Sequence, residues 1–260
     1  MKNPLSSPQT ILITGASSGI GAALALHYAK PGVSLHLQGR DRSRLAQIAK
    51  ICRDAGASVH EKTVDVTDSA AMLAWLEAAD SATPLDLVIA NAGISAGFGK
   101  KGESFAQVSA VMATNVNGVI NTVQPMLPRM AARGAGQIAI MSSLAGIRAL
   151  PSCPAYSASK ACVRVYGESL RGAMARQGVA VSVICPGYIK TPLTDRNPFP
   201  MPLLMSAEKA AAKMARGLAK NQARIAFPSA LYIPLWFLSC LSLRITDPIF
   251  SRLPAKPSSL

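Results

Sequence analysis

The amino-acid sequence predicts an α/β protein built on a doubly wound parallel sheet with helices on both faces. Short apolar runs rich in β-branched residues alternate with longer helical patterns as far as residue 228. This alternation is typical of strand–helix–strand units, in which consecutive strands lie parallel. Hydrophobic residues make up 50% of the 260 positions and aromatic residues only 5%. Small aliphatic side chains must therefore fill the core between the helices and a buried sheet.

The individual elements are predicted from local pattern, in chain order. Strands are expected at residues 10–14, 33–38, 59–66, 85–90, 137–142, 180–185 and 224–228. Helices are expected at residues 20–29, 42–55, 70–81, 107–130, 155–177 and 207–220. The tract 107–130 is expected to break near Pro125 and Pro128, because proline lacks the amide hydrogen that a helix interior needs. Since the composition does not change along this stretch, we expect residues 1–228 to form one domain.

The chain is strongly basic, with a formal net charge of +14 at pH 7. Its lysines and arginines are spread along the sequence and are not interleaved with aromatic residues, which argues against a nucleic-acid-binding face. An anionic ligand, an anionic membrane surface and the simple solubility of a hydrophobic protein remain alternative explanations.

Cysteine and histidine usage indicates neither disulfides nor a metal. The five cysteines are scattered, and the three histidines lack a spacing that would gather them around a metal ion, so we expect reduced thiols and no metal site. No charged and then apolar leader precedes the first predicted strand, and a cytoplasmic location is therefore expected.

A glycine-rich loop joins the first predicted strand to the first predicted helix. The loop comprises Gly15, Ala16, Ser17, Ser18, Gly19, Ile20 and Gly21. Glycine lets the backbone turn sharply and approach a pyrophosphate closely, and the following helix presents free amide groups and partial positive charge. In this position the loop predicts a dinucleotide-binding site.

The end of the second predicted strand bears on the choice of dinucleotide. Arg40 and Asp41 follow the strand directly. At this position a carboxylate binds the ribose diol of NAD, whereas an arginine favours the extra phosphate of NADP. Because Arg40 comes first, NADP(H) is favoured over NAD(H). The alternative is that Arg40 only caps the strand and pairs with Asp41 or with solvent.

A tyrosine and a lysine one helical turn apart form the strongest candidate catalytic group. Tyr156 and Lys160 share one face at the start of a predicted helix. A nearby cation, helped by an oxidised nicotinamide ring, is expected to lower the pKa of the tyrosine, whose ordinary value of about 10 makes it a poor acid–base catalyst at neutral pH. Ser143 lies thirteen residues earlier, just after a predicted strand, where its hydroxyl can stabilise charge on a substrate oxygen. Ser142 is its rival for this role.

Taken together, these motifs resemble the short-chain dehydrogenase/reductase family over about residues 8–228. The glycine spacing, the Tyr-x-x-x-Lys pair and the preceding serine carry the resemblance, and Asn115 within Thr-Asn-Val completes it. The resemblance implies a Rossmann-like fold and a catalytic tetrad of Asn115, Ser143, Tyr156 and Lys160. In the family the asparagine bends its helix and holds a water molecule in a proton relay.

Further cofactor contacts are implied by the same resemblance. Asp65 corresponds to an acidic residue beside the adenine ring. Asn91 and Gly93 match an Asn-Asn-Ala-Gly motif beside the cofactor, although Ala90 replaces its first asparagine. The segment implied to hold the nicotinamide carboxamide contains Pro186, Gly187, Ile189 and Thr191.

The function implied is hydride transfer between NADP(H) and a carbonyl or secondary alcohol, with Tyr156 exchanging the hydroxyl proton. A sensor or scaffold that binds the dinucleotide without turnover is the main alternative. Epimerisation or dehydration with bound cofactor is a third interpretation. Substrate choice is expected in residues 95–103, which include Gly99, and in the Met- and Leu-rich residues 193–206. These residues suit an apolar substrate, or else form a packed surface loop.

Residues 229–260 form a hydrophobic extension on the same predicted domain. Residues 225–243 carry no charged side chain. Pro228 and Pro234 are expected to interrupt any helix there, which leaves a segment too short to span a bilayer. Two interpretations remain equal. The extension inserts into one leaflet of an anionic membrane beside Arg244, Arg252 and Lys256, or it contacts another subunit in a homodimer or homotetramer.

Overall fold

The computed structural model describes residues 7–98 and 102–252, which contain a parallel sheet with the strand order β3-β2-β1-β4-β5-β6-β7. Its strands are β1 (Thr10–Ile13), β2 (Ser34–Gly39), β3 (Ser58–Thr63), β4 (Leu87–Ala90), β5 (Gly136–Met141), β6 (Val179–Pro186) and β7 (Arg224–Phe227). Neighbouring strands pair in parallel throughout. The predicted doubly wound parallel sheet is confirmed.

Helices precede or follow each strand, as the alternating pattern predicts. They are α1 (Gly19–Tyr28), α2 (Arg42–Asp54), α3 (Ser69–Ala82), α4 (Phe105–Met112), α5 (Gly118–Val123), α6 (Met126–Ala132), α7 (Pro154–Met174), α8 (Ala207–Ala219), α9 (Ser229–Ser239) and α10 (Leu243–Phe250). Several begin where a short polar side chain accepts a hydrogen bond from an amide of the first turn, as Asp41, Asp68 and Ser206 do. Ser104 and Gln107 form a reciprocal capping box at the start of α4.

The core lies on both faces of the sheet, because successive side chains of each strand point in opposite directions. Ile11 and Ile13 of β1 face one layer, whereas Leu12 between them faces the other. The first layer includes side chains of α1, α2 and α8, and the second includes side chains of α3, α5, α6 and α7. Helices therefore cover both faces of the sheet, as the near-continuous apolar strands predict.

The order in which successive strands are added across the sheet reverses between β1 and β4. β1 pairs with β2 on one side and with β4 on the other. In sheets of this type a crevice opens at the carboxyl ends of the strands at that point, and ligands bind there. The loops that follow β1, β2, β4, β5 and β6 all begin at this edge.

The helical tract predicted at residues 107–130 is divided differently from the expectation. It breaks near Pro125, as predicted, but Pro128 lies within the first turn of α6, where its missing amide hydrogen costs no helical bond. A π-helical turn also replaces regular helix at Ala113–Asn117. Such turns insert an extra residue and are frequent at functional sites, and this one contains Asn115.

The expectation that Pro234 interrupts any helix in the C-terminal segment is wrong. Pro234 lies inside α9, and α10 follows after a short connection. The helix tolerates this proline because the side chains around it, Leu231, Tyr232 and Leu235, pack together against the sheet. Within residues 7–98 and 102–252, no helix is both long and apolar enough to cross a membrane. Lys256 lies outside the described residues.

Candidate active site

A cavity of about 720 Å³ lies at the carboxyl edge of the sheet. Most of the site residues predicted from the sequence line it, and these are Gly15, Ser17, Ser18, Gly19, Ile20, Arg40, Asn91, Gly93, Ser143, Tyr156, Lys160, Pro186, Gly187, Ile189 and Thr191. The structure thus brings together residues from the loops at the ends of five strands and from helix α7. Three predicted residues, Gly21, Asp65 and Asn115, are not part of its lining.

The glycine loop is shaped so that its backbone forms the floor of this cavity. Gly15 has a φ of +68°, a conformation that other residues rarely adopt, and a Cβ atom there would lie 2.8 Å from Ala92 Cα. A Cβ atom on Gly21 would overlap the carbonyl oxygen of Gly15 and lie 2.7 Å from Asn91 Nδ2. Gly21 therefore supports the loop from beneath. The exposed amides at the start of α1 and the lack of side chains fit a pyrophosphate group.

Polar side chains that the sequence analysis did not single out brace the loop against neighbouring strands. The Thr14 hydroxyl accepts from the amides of Asn91 and Ala92 at 3.0 and 3.1 Å. Asn91 Nδ2 donates to the carbonyl oxygen of Thr14 at 2.9 Å. Gln38 Oε1 accepts from the Gly15 amide at 2.9 Å, and its Nε2 donates to the Val64 carbonyl. Asn91 thus holds the end of β4 against the glycine loop.

Two arginines and two carboxylates meet at the other end of the cavity. Arg40 Nη1 lies 3.7 Å from Asp65 Oδ2, at the surface. Asp41 does not pair with Arg40; instead it caps α2, accepting from the amide of Arg44 at 2.9 Å and from its Nε at 2.7 Å. The backbone hydrogen bond from Arg44 is the main cause that lowers the pKa of Asp41. Arg44 also lines the cavity.

Asp65, which the resemblance implies beside the adenine ring, lies just behind this group. Its Oδ1 accepts from the amide and the hydroxyl of Thr67 at 2.9 Å, and its Oδ2 faces Arg40. The side chain thus holds the turn after β3 and the arginine at the cavity edge.

Tyr156, Lys160 and Ser143 converge at the opposite end of the cavity. Tyr156 lies in the first turn of α7, and Lys160 Nζ is 5.7 Å from the centroid of its ring. Lys160 Nζ donates to the Met141 carbonyl at 2.9 Å, which fixes the ammonium group beside the end of β5. The Ser143 hydroxyl hydrogen-bonds with Tyr156. Two hydroxyls and one ammonium group therefore face one point in the cavity.

Burial dominates the protonation of the tyrosine and the lysine. It raises the pKa of Tyr156 to about 12, and the hydrogen bond with Ser143 opposes that rise only in part. It lowers the pKa of Lys160 to about 8. In the protein by itself, desolvation of the phenolate is the largest effect on the Tyr156 pKa, and the lowering expected from Lys160 together with an oxidised nicotinamide ring stays a prediction. Tyr156 holds its proton at neutral pH and is suited to donate it.

Asn115 lies behind the catalytic residues. Its Oδ1 accepts from the Ile94 amide at 2.8 Å, and its Nδ2 donates to the Ile94 carbonyl at 2.9 Å and to Ser159 Oγ at 3.0 Å. A Cβ atom on Gly93 would lie 3.2 Å from Asn115 Oδ1 and 3.3 Å from Lys160 Nζ. Gly93 therefore leaves room for the asparagine and the lysine to approach each other, and Asn115 ties the π-helical turn to α7.

The hydrogen bonds distinguish Ser143 from Ser142, the alternative candidate for the same role. The Ser142 hydroxyl is buried and donates to the backbone carbonyl of Lys160 at 2.7 Å. It thereby links β5 to α7. The Ser143 side chain instead meets Tyr156 and accepts from the Ala145 amide at 3.1 Å.

We expect Ser143→Ala to reduce turnover by about 10²- to 10³-fold, the usual effect of removing one donor to a charged oxygen. Ser142→Ala should change turnover less than about tenfold and lower the free energy of unfolding by about 1 kcal/mol, since it removes one buried hydrogen bond. Steady-state kinetics and urea unfolding of both variants check this. Equal losses of turnover in the two variants would contradict the assignment.

A parallel sheet with a glycine loop at its reversal point, and a hydroxyl–ammonium group at the same edge, define a dinucleotide-binding oxidoreductase. The chain belongs to the short-chain dehydrogenase family, whose family model matches residues 9–199. It is therefore an NAD(P)-dependent dehydrogenase or reductase, and its cofactor is a nicotinamide dinucleotide.

Similar proteins agree with this class. The chain is 39% identical over 248 residues to an uncharacterised oxidoreductase of Myxococcus xanthus, covering 95% of this chain and 98% of that one. A short chain dehydrogenase/reductase from Burkholderia phymatum in complex with NAD is 28% identical, covers 100% of both chains and has a TM-score of 0.81. A short-chain dehydrogenase from Sphingobium yanoikuyae in complex with NADPH is 25% identical, covers 94% of this chain and 96% of that one, and has a TM-score of 0.80.

Proposed function

We propose that this enzyme transfers hydride between NADP(H) and a carbonyl or secondary alcohol, with Asn115, Ser143, Tyr156 and Lys160 as its catalytic group. The proposal rests on one observation. The Ser143 and Tyr156 hydroxyls converge with Lys160 Nζ in the cavity whose floor is formed by the glycine loop. A carbonyl oxygen placed there would meet two hydroxyl donors at once. A protein that only binds a dinucleotide has no need of such a group.

The bound cofactor supplies or accepts the hydride at the substrate carbon. Tyr156 donates the proton of its hydroxyl to the substrate oxygen in the reductive direction and takes it back in the oxidative one. Ser143 donates a hydrogen bond to the same oxygen. Lys160, fixed by the Met141 carbonyl, places positive charge beside the tyrosine where phenolate character develops. Asn115 acts through its hold on Ile94 and Ser159.

The segment after β6 is proposed to hold the nicotinamide end of the cofactor, through Pro186, Gly187, Ile189 and Thr191. Thr194, which the sequence analysis did not single out, fixes its shape. The Thr194 hydroxyl donates to the Ile189 carbonyl at 2.6 Å and accepts from the Thr191 amide at 3.0 Å. Both threonines line the cavity.

The preference for NADP(H) over NAD(H) is proposed from the charges at the adenosine end. Asp41, the carboxylate that would otherwise bind a ribose diol, is engaged as the cap of α2 and as the partner of Arg44. Arg40 and Arg44 both line the cavity, and the Arg40 side chain is 61% exposed. Two guanidinium groups at this end favour a phosphate on the ribose.

Arg40→Ala should raise the KM for NADPH by about 10- to 100-fold, which is the value of one charge-assisted hydrogen bond to a phosphate. The KM for NADH should change little, because that cofactor lacks the phosphate. Initial rates with both cofactors measure the ratio, and Arg42→Ala, which replaces an exposed arginine two residues further along the chain, is the matched control. A wild type that uses NADH better, or an equal loss with both cofactors, would contradict the preference.

We also propose an apolar, lipid-like substrate. Ile94, Pro192 and Leu193 line the substrate end of the cavity. Residues 193–206 approach it from the side, where Phe199 meets Tyr188 edge to face with ring centroids 6.5 Å apart. Ile94, Pro192 and Leu193 offer apolar contact in the cavity that contains the hydroxyl donors. Gly99 and residues 100 and 101 of the opposite loop lie outside the described residues.

Turnover against fractionated substrates tests the proposed function. NADPH oxidation and NADP reduction should be followed with the lipid fraction and the aqueous fraction of a cell extract, each with wild type and with Tyr156→Phe. We expect turnover in the lipid fraction that the variant lacks. Turnover confined to the aqueous fraction would contradict an apolar substrate. Tight binding of the cofactor by both proteins with no turnover in any fraction would favour a dinucleotide sensor or scaffold.

The cellular location, the assembly state and the role of the C-terminal segment are proposals as well. We propose a cytoplasmic homodimer or homotetramer, with residues 1–228 as the catalytic domain and residues 229–260 as an extension of it that contacts an anionic membrane peripherally. α4 packs against α7, and together they expose Phe105, Met112 and Val165. This apolar surface supports subunit contact away from the C-terminal helices. Light scattering after size-exclusion chromatography measures the subunit number.

A further inference from the structure

The two faces of α9 have opposite surroundings. One face packs Leu231, Tyr232 and Leu235 against a cluster formed by Leu144 and the end of β6. The other exposes Ile233, Trp236 and Phe237 at spacings of three and four residues, with 60%, 49% and 59% of their surfaces accessible. No residue of α9 is buried. Large side chains on one helical face, exposed together, mark a binding surface.

α10 continues this arrangement after a short connection. Thr246 and Phe250 are buried against the protein, whereas Leu243, Ile245 and Ile249 are exposed. Arg148, from the loop that begins at Ser143, holds the buried face. Its Nη2 donates to Thr246 Oγ1 at 2.8 Å, and its guanidinium lies 4.5 Å from the centroid of the Phe250 ring.

The C-terminal segment has a net positive charge, although α9 itself contains no charged residue. Between residues 229 and 252 the charged side chains are Arg244, Asp247 and Arg252. The Asp247 carboxylate is 3.2 Å from Arg148 Nη2, so this acid is neutralised by the body of the protein. Both arginines are exposed. The outer surface therefore combines three aromatic or aliphatic residues per helix with two exposed cations at the rim.

We infer that the outer faces of α9 and α10 dock on an anionic lipid surface. Apolar side chains flanked by arginine are what such a surface binds, the former in the acyl boundary and the latter at the headgroups. A second copy of this chain would fit this surface less well. Each copy has a net charge of +14, and the exposed arginines of one copy would repel the same arginines of the other. The helices are short, which suits a position in the plane of the interface.

This docking would bring the catalytic end of the cavity towards the lipid. A Cβ atom on Gly187 would lie 3.0 Å from Pro228 Cδ and 3.5 Å from Leu231 Cδ1, so α9 begins beside the proposed nicotinamide segment. Leu144, which follows Ser143, packs against α9, and Arg148 of the same loop holds α10. The docking names the side chains behind the membrane contact proposed above, and its link to catalysis rests on the proposed chemistry. An apolar substrate would then pass from the membrane to Ser143 and Tyr156 over a short distance.

The chain offers a direct reporter, because it contains two tryptophans and one of them, Trp236, lies in the proposed surface. In Trp75→Phe the emission comes from Trp236 alone. We expect this emission to shift to shorter wavelength when vesicles of phosphatidylcholine and phosphatidylglycerol are added, and to shift much less with phosphatidylcholine alone. Added salt should weaken binding to the mixed vesicles.

Two sets of variants test which side chains are responsible. Trp236→Ser with Phe237→Ser, and separately Arg244→Glu with Arg252→Glu, should each weaken flotation with the anionic vesicles by about tenfold or more. Ile51→Ser, an exposed apolar residue on α2, and Arg42→Glu with Lys213→Glu, exposed cations on α2 and α8, are the matched controls. The controls should float like wild type. Unchanged melting temperatures of the charge variants confirm that they fold.

Two results would overturn the inference. One is an absence of flotation, with Trp236 emission unaffected by either vesicle. The other is a Trp236 emission that shifts with protein concentration alone, together with a lower molecular mass of the Trp236/Phe237 variant, which would assign the surface to a second subunit. Tyr156→Phe should dock like wild type, so that failure of the proposed chemistry and failure of the docking are read separately.

Discussion

Replacing Tyr156 with phenylalanine should reduce turnover by about a thousandfold in both directions, because it removes the group proposed to exchange a proton with the substrate oxygen. Only one oxygen atom is lost, and the ring still fills its place in the first turn of α7. Binding of the dinucleotide should therefore stay close to that of the wild type. The free energy of unfolding should fall by about 1 kcal/mol, the value of the lost hydrogen bond with Ser143.

The same helix provides a matched control for this variant. Tyr166 also lies on α7, and its hydroxyl accepts from Gln124 Nε2 at 2.7 Å, away from the cavity. Tyr166→Phe removes the same atom and one hydrogen bond, and its turnover should equal that of the wild type. Steady-state rates and fluorescence titration with NADPH measure the two quantities. A Tyr156→Phe enzyme within tenfold of the wild-type rate would refute the catalytic assignment.

The fold and much of the site could be predicted because their determinants are local in sequence. The alternation of strands and helices can be recognised in short stretches of sequence. The Gly15–Gly21 loop and the Tyr156–Lys160 pair each span only a few consecutive residues. Parallel connection then brings the strand ends to one edge. Residues such as Asn91 and Ser143 meet there because each lies within two residues of the end of a strand.

The parts that were missed depend on contacts between distant segments. The π-helical turn at Asn115 is held by hydrogen bonds to Ile94 and Ser159. No local sequence pattern predicts this turn. Arg40 was the alternative partner for Asp41 on sequence grounds, whereas Asp41 caps α2 and pairs with Arg44, and Arg40 pairs with Asp65. The burial of Tyr156 and Lys160, which raises the pKa of the first and lowers that of the second, also depends on distant segments and is not visible in the sequence.

Gly21 shows how strongly the predicted loop depends on the absence of one atom. A Cβ atom there would overlap the Gly15 carbonyl oxygen and press on Asn91 Nδ2. Both neighbours are backbone or are already held by the end of β1, through the bond from Asn91 to the Thr14 carbonyl. Neither can move without carrying the glycine loop with it.

We therefore expect Gly21→Ala to lower the free energy of unfolding by about 3 kcal/mol, the upper range for overpacking in a core. Affinity for the dinucleotide should fall by about a hundredfold, because displacement of a binding backbone by about 1 Å has effects of that size. Urea unfolding and titration with NADPH measure the two effects. Gly172→Ala is the control, since its Cβ would meet no atom within 4 Å. As an alanine in α7 it should stabilise the protein by about 0.5–1 kcal/mol. If Gly21→Ala and Gly172→Ala have the same free energy of unfolding and the same affinity for the cofactor, the close contacts of Gly21 do not determine the shape of the cavity floor.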